Sequence, residues 1–580
     1  MNIAKVVILN LLLYLGTFLG AQNALIAKII DANTKENLIY CHVINLTSRV
    51  TCITNEEGEF RINDARPNDS LLISYLGYNH VKMTVADAAQ KHVIKLKPNA
   101  ALLTEVQIPL NDKKLLEMVK DCSGKLNKSK KFQSKAYLEL YCEDDSTHLE
   151  LLQMYFNVVC RGGHISDFLL KAGRVALTSQ EEKQFINLGS TQALILLNPT
   201  LPSFLYPLNP LVLTEIFAKD LFYIKRLSDL DENGVVHIEF EPKILKDSAR
   251  LFSGEMFIRK SDNQLLKLNL NINNSRNHPF LPVSRRDSIA SVSINLNYYF
   301  NKIGNDTRLT LVDFAFKLKY LSGVNERKEM RNIKTEGLLQ LYDDSELFTL
   351  PFFEFDNTKN DYRKMSLIPT DSLFWQRNKT LQVTEKQQKR YELFAKDGIL
   401  LNFNEIENDI NPASTNGDSF DQIFEHNNII WRKSAIVRMK PNVNAPIEKT
   451  DIVVQLFLDI NKFGDSLYHN SHTVFDVFKT QYYLENKPEH LAYVNIYFDL
   501  CEIIRREMVV ELNKTQDINM MKKIYKETNK KLKKMTKSYK NEMKFGRNIL
   551  NFSKWNEKVK AELGRDHLKY FKVDVSKDSK

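Results

Sequence analysis

Residues 54–78 read TNEEGEFRINDARPNDSLLISYLGY. Two runs of apolar and polar alternation, 59–62 and 70–75, each follow a polar cluster, which is the pattern of half-buried strands joined by turns. Gly58 comes after three polar residues and suits the positive φ that closes a hairpin, so that Phe60 turns back into a core. The alternation continues outward on both sides, at 25–30, 38–46, 50–54, 80–85 and 92–96. Seven short strands punctuated by Asp31-Ala32-Asn33, Asn55 to Gly58 and Gly77 predict an antiparallel sandwich over residues 22–105.

The residues at the turns follow an ordered series: Asp31 and Thr34, Leu38 with Val43, Thr54-Asn55 with Gly58 and Phe60, then Asp69, Leu71, Ser74, Gly77 and Tyr78, and the exit Leu103-Thr104-Glu105-Val106. In this the sequence resembles the carboxypeptidase regulatory-like domain of Bacteroidota envelope proteins, a transthyretin-like β-sandwich. It departs from that pattern at Ala27, Asn37, Cys41 and Asn55, where glycine, proline, alanine and aspartate are usual. The resemblance implies a fold, an envelope setting and an accessory docking role, and no peptidase activity.

From 106 to 380 the alternation lengthens. Runs at 136–142 and 149–159, 254–259 and 264–272, and 291–300 and 308–320 are joined by short polar turns, among them Asn233-Gly234 and Asp262-Asn263. A large antiparallel sheet or half-barrel follows. The hairpin from Gly254 to Leu268 looks like those of the half-barrel lipoprotein-sorting carriers. Residues 193–218, apolar and carrying Pro199, Pro202, Pro207 and Pro210, interrupt the pattern. They are expected either to pack on the core as a loop or to cap an apolar groove for a lipid or peptide.

The remainder is a mixed α/β region at 381–484 and a helical region at 485–580. Thr384-x-x-Gln387 is a capping box opening a helix. Three helices are expected at 489–512, 517–547 and around Trp555, Val559 and Leu563 before Gly564. The second carries Met521, Tyr525, Leu532, Met535, Tyr539 and Met543 at 3/4 spacing, so one stripe packs and the rest is lysine. Such C-terminal helices, with no strands reaching the end of the chain, oppose a transmembrane β-barrel.

The chain has 580 residues and a formal charge of +10, with 81 Lys+Arg against 71 Asp+Glu. Residues 501–580 hold 22 Lys+Arg and 11 Asp+Glu, so the whole excess sits there. A neutral body with a basic tail does not read as a nucleic-acid-binding protein. On the exposed face of the second helix Lys530, Lys533, Lys534 and Lys537 are the candidate contacts for an anionic lipid or glycolipid surface, or for an acidic envelope protein. The alternative is a solvated helix face.

Residues 1–21 read as an export signal, with Lys5 before an apolar run at 6–19 and Gly20-Ala21 at the cut. No later run is long enough to span a bilayer as a helix. Six cysteines without a C-x-x-C motif suggest small buried side chains. There is no G-x-S-x-G, H-E-x-x-H or P-loop series. His469 and His472 are read in a turn with no third ligand, and pairs such as Glu405 with Asp409 as surface features. No catalytic, cofactor or metal residue is assigned. The sequence therefore predicts a non-enzymatic cell-envelope binding or assembly protein, periplasmic or associated with the outer membrane. The alternatives are a periplasmic lipid or lipoprotein carrier using an apolar groove in the β-rich region, and an envelope hydrolase.

Overall fold

A computed structural model describes residues 24–574 except 100–110, 146, 179–189, 204, 230–233, 244–249, 283–285, 304–305, 323–328, 354–363, 366, 402–428, 440, 442–444, 478 and 549. The export signal, Leu103 to Val106, Phe204, Asn233, Glu405 and Asp409 lie outside the described residues.

The N-terminal unit has the seven expected strands: β1 (Leu25–Asp31), β2 (His42–Asn45), β3 (Thr51–Ile53), β4 (Glu59–Ile62), β5 (Ser70–Ser74), β6 (Val81–Thr84) and β7 (Val93–Leu96). They form two sheets, ordered β4-β1-β7 and β3-β2-β5-β6. Ile29, Val43, Phe60, Leu71 and Ile73 are buried in the core. Two features differ from the alternation reading. The β1–β7 pair is parallel, and a helix, α1 (Val85–Lys91), intervenes before β7, capped by a reciprocal box between Thr84 and Asp87. Alternation reports strands, and says nothing of their direction.

The signature residues are turn and brace residues. Asp31 Oδ1 accepts from the amides of Asn33 and Thr34 at 2.6 and 3.0 Å, and its Oδ2 accepts from the Tyr78 hydroxyl at 2.6 Å. Asn45 Nδ2 donates to Asp69 Oδ2 at 2.8 Å. Gly58 has φ +74°, and a Cβ there would sit 2.7 Å from the Ile29 carbonyl oxygen, so conformation and space both require glycine.

The large sheet has eleven strands: β8 (Lys131–Asp144), β9 (Thr147–Arg161), β10 (His164–Thr178), β11 (Phe222–Asp229), β12 (Val235–Pro242), β13 (Ser253–Arg259), β14 (Gln264–Ser275), β15 (Ser288–Ile303), β16 (Asp306–Ser322), β17 (Glu329–Asp343) and β18 (Gly398–Leu401). Their order is β11-β12-β13-β14-β15-β16-β17-β8-β9-β10-β18, and the sheet is open. All its pairs are antiparallel. Because side chains alternate across a strand, Leu138, Met154, Ile238, Met256, Leu268, Leu296 and Phe314 share one face. An amphipathic helix, α2 (Lys113–Lys128), lies on it through Leu115, Leu116, Val119, Cys122 and Leu126. Asp112 caps α2, accepting from the amide of Lys114 at 2.9 Å.

The proline-rich interruption packs on the same core. It contains α3 (Ser190–Leu196) and α4 (Glu215–Leu221), and Ala193, Leu194, Leu197, Tyr206, Leu211 and Ala218 are buried with α2 against the sheet. Leu201, Leu205, Ile216 and Phe217 stay exposed.

Beyond the sheet come α5 (Ser372–Arg377) and α6 (Glu385–Asp397), then β19 (Ile429–Ile430), β20 (Val454–Phe463) and β21 (Ser466–Phe475) as a second sheet, and α7 (Pro488–Leu512), α8 (Ile518–Met543), α9 (Leu550–Leu563) and α10 (His567–Phe571). The capping box of α6 is present, with Thr384 N donating to Gln387 Oε1 at 2.9 Å and Gln387 N to Thr384 Oγ1 at 3.1 Å. The second basic helix ends earlier than its periodicity suggests, at Met543, because Lys544 and Phe545 take φ of 43° and 61°. The short α10 follows without a periodic signal of its own. All six cysteines are buried and unpaired.

Candidate anionic-surface interface

In α8, 3.6 residues per turn separate two faces. Met521, Leu532, Tyr539 and Met543 are buried, and the Tyr539 hydroxyl donates to the Tyr493 carbonyl of α7 at 2.7 Å. Lys530, Lys533, Lys534 and Lys537, at spacings of three and four, are exposed on the side away from this seam, and so are Lys523 and Lys526. The four named lysines make no ion pair among the described residues. Of the acids near α8, Glu507 is engaged by Lys531, Asp451 by Lys540 at 2.7 Å and Glu542 by Lys554 at 2.8 Å, and the exposed Glu527 stands one turn before Lys530 and Lys531. The result is a comb of four ammonium groups in no ion pair, on a helix whose lysines outnumber its acids.

The seat of α8 is rigid because α7 is buried on nearly all sides. Among its buried polar groups are three, Asp499, Glu502 and Asn495, that sequence periodicity did not single out. Asp499 Oδ1 accepts from Trp431 Nε1 and Arg565 Nη1, both at 2.6 Å, and His567 Nε2 lies 2.6 Å from Asp499 Oδ2. Glu502 is held by Arg505, Arg506 and Thr473 at 2.8 to 3.0 Å. Burial pushes the Glu502 carboxyl up, but these donors outweigh it and leave it below its ordinary value. Asn495 brackets Val437, accepting from its amide at 2.8 Å and donating to its carbonyl at 3.0 Å. An Asp, a Glu or a His at such positions gives no signal in a single sequence, since its partners lie up to 68 residues away.

His469 and His472 are in β21, where an odd separation sends the two rings to opposite faces. They do not sit in a turn, and His469 Nε2 meets Asn513 Oδ1 at 3.0 Å. No group of three His, Cys, Asp or Glu side chains suited to a metal occurs among the described residues. No helix among them is long and apolar enough to cross a membrane.

The N-terminal sandwich rests on the sheet face opposite α2. Thr51 accepts from Gln340 Nε2 at 3.4 Å, Asn55 Nδ2 donates to the Gln382 carbonyl at 3.0 Å, and Glu57 Oε1 accepts from the Glu385 amide at the start of α6 at 3.0 Å. Its sequence identity follows from the same turn residues. Residues 27–108 match the family model of the CarboxypepD_reg-like domain. The CarboxypepD_reg-like domain packs against the large sheet and the start of α6.

No curated protein matches the chain. Among solved structures it is similar to a LolA superfamily protein from Nitrosomonas europaea, at 9% identity over 40% of this chain and 93% of that one, with a TM-score of 0.15. The Pseudomonas aeruginosa MucA/MucB complex matches at 8% over 39% and 93%, TM-score 0.14, and a DUF1329 family protein from Desulfovibrio piger at 11% over 40% and 94%, TM-score 0.17. Similarity of this degree assigns neither ligand nor partner.

Proposed function

We propose that this is a non-enzymatic binding or assembly protein of the cell envelope, exported to the periplasm or the outer membrane, which meets an anionic surface through α8. The observation that carries the reading is the comb of Lys530, Lys533, Lys534 and Lys537, exposed and without acidic partners among the described residues. Each lysine brought to an anionic surface contributes about 1 kcal/mol, so four set a ceiling on the order of a thousandfold in partition. Screening reduces this as ionic strength rises. Point charges without arginine forks suit a surface of phosphate headgroups better than one bidentate site.

The test is co-sedimentation of the full chain with phosphatidylglycerol-containing vesicles at low salt. Replacing the four lysines with glutamine should cut the bound fraction by at least about tenfold and leave the thermal midpoint unchanged, because none of the four is packed. Equal binding by both proteins would sink the reading. The carrier alternative is supported by exposed Leu201, Ile216 and Phe217 on the segment covering the apolar sheet face. It requires α2 or that segment to leave the face, and native mass spectrometry showing an empty protein would exclude it.

A further inference from the structure

From Thr200 to Phe222 the chain tracks one flank of α2 in the opposite direction. Thr200 Oγ1 donates to Asn127 Oδ1 at 2.6 Å, Ser123 Oγ to the Leu211 carbonyl at 2.7 Å, and Lys120 lies 3.1 Å from Glu215. Just before α2, Asn111 Nδ2 donates to the Phe222 carbonyl at 3.2 Å. Asn127, Ser123 and Lys120 stand on one line of the helix, and the tracked length from Lys113 to Asn127 is about 21 Å. Along it Leu201, Leu205, Ile216, Phe217 and Tyr223 are exposed. The short α4 is the reverse of a packed helix: it buries Ala218 and holds Ile216 and Phe217 72% and 59% exposed. Single apolar side chains are ordinary on a surface, whereas a row along one helix is not.

We propose that this row docks in the surface of an anionic phospholipid bilayer, with its apolar side chains at the boundary between headgroups and acyl chains. Charge suits that occupant. Lys113, Lys114, Lys120, Lys125 and Lys128 are exposed along α2 and Lys219 on α4, against Glu117, Asp121, Glu215 and Asp220. An apolar row flanked by an excess of lysine is the composition of an interfacial contact. Tyr223 has the same character, an apolar ring with a polar tip. Lys243 Nζ lies 5.1 Å from its centroid and donates to the Lys219 carbonyl at 2.7 Å, so a cation and a ring stand together at the end of the row.

Area points the same way. A stable protein–protein contact engages roughly 20–30 residues a side, whereas this row offers Leu201, Leu205, Ile216, Phe217 and Tyr223 along a helix flank. Ile216 projects, as its exposure shows. A fluid acyl layer closes around a projecting side chain without needing a matching pocket. The contact does not rest on α8. The lysines of α8 hold a surface by charge, which salt screens, whereas apolar area removed from water is not screened. Nor does it require α2 to leave the sheet, because every side chain it uses is already outside.

The test is binding of the full chain to vesicles of phosphatidylglycerol and acyl-brominated phosphatidylcholine in about 1 M salt, where a Debye length of about 3 Å removes the pull of exposed lysines. The parent chain should remain bound. Ile216→Ser with Phe217→Ser should weaken that binding at least about tenfold with an unchanged thermal midpoint, because neither side chain is packed. Phe217→Trp should be quenched by the bromines beyond the parent chain, whose Trp375, Trp431 and Trp555 lie outside the row. The proposal is overturned if the parent does not bind at this salt, if the serine pair binds like the parent, or if Phe217→Trp is quenched no more than the parent. It is overturned in favour of a second copy if the parent is dimeric without vesicles and the serine pair makes it monomeric. Replacing the α8 lysines should leave the high-salt binding intact and remove only a low-salt increment, so either contact can fail without the other.

Discussion

Two units are fastened to the large sheet in opposite ways. The CarboxypepD_reg-like domain touches the sheet through Thr51 with Gln340 and Tyr40 with Asp313, and holds the segment leading into α6 through Asn55 to Gln382, Asn63 Nδ2 to the Lys379 carbonyl at 2.7 Å, and Glu57 to the start of α6. The C-terminal unit is fastened through a buried charge. Lys171 of β10, with a fully buried side chain, lies against Asp459 of β20 at 2.5 Å and donates to the Thr349 carbonyl at 2.7 Å. Burial pulls the Lys171 ammonium below its ordinary value, partly opposed by Asp459. Exposed contacts of the first kind each contribute little, because water replaces them; a buried pair is costly to half-remove, because the survivor stays desolvated. The sandwich is thus held largely by replaceable contacts, and the C-terminal unit by this buried pair together with Phe457 and Val474, which join the core of the large sheet.

That contrast can be broken at its strongest point first. Lys171→Ala should cost about 3–5 kcal/mol by stranding Asp459, read as loss of the C-terminal unit in denaturant titration followed by tryptophan fluorescence. The double replacement Lys171→Met with Asp459→Leu should recover most of that loss, since an apolar pair has no unpaired charge. A double variant as unstable as the single one would mean that the pair contributes more than its desolvation.

The sandwich has its own buried titratable group. His42 is pushed down to about 4 by burial, from an ordinary 6.5. Its folded pKa lies below its unfolded one, so the unfolded chain binds the extra proton between these values. The contribution of His42 to stability should therefore be constant above pH 6.5, fall by about 3 kcal/mol as the pH drops to 4, and level off below, where Asp31 and Asp87, held below their ordinary values, add a loss of their own. His42→Gln should flatten this slope in thermal melts of the sandwich. The smallest effect is expected at the surface contact: Glu57→Ala removes one acceptor at the start of α6 and should cost about 0.5–1 kcal/mol. A loss as large as that of Lys171→Ala would erase the distinction between the two attachments.

How much was legible in the sequence follows the same divide. The seven strands, Gly58, the capping box of Thr384 and Gln387 and the lysine face of α8 all depend on residues within a turn or two of one another. The parallel pairing of β7, the placing of α2 on the sheet and the packing of residues 193–218 depend on long-range contact. His469 and His472 were misread as a turn, because Gly464-Asp465 marks the hairpin bend but not how soon the next strand resumes. The candidate comb was visible as spacing, whereas which α8 lysines are paired, Lys531 with Glu507 and Lys540 with Asp451, and which are not became visible only in the tertiary structure.

The sequence by itself determined the local chemistry: strand and helix periods, the turn glycines, the caps and the segregation of positive charge to the last 80 residues. These are set by backbone sterics and side-chain spacing along the chain. Only the tertiary structure decided which polar groups are desolvated together, Asp499 with Arg565 and His567, Lys171 with Asp459, and His42 beside Tyr299. Desolvation is a property of everything packed around a group, and the residues that exclude water from these sites come from distant parts of the chain.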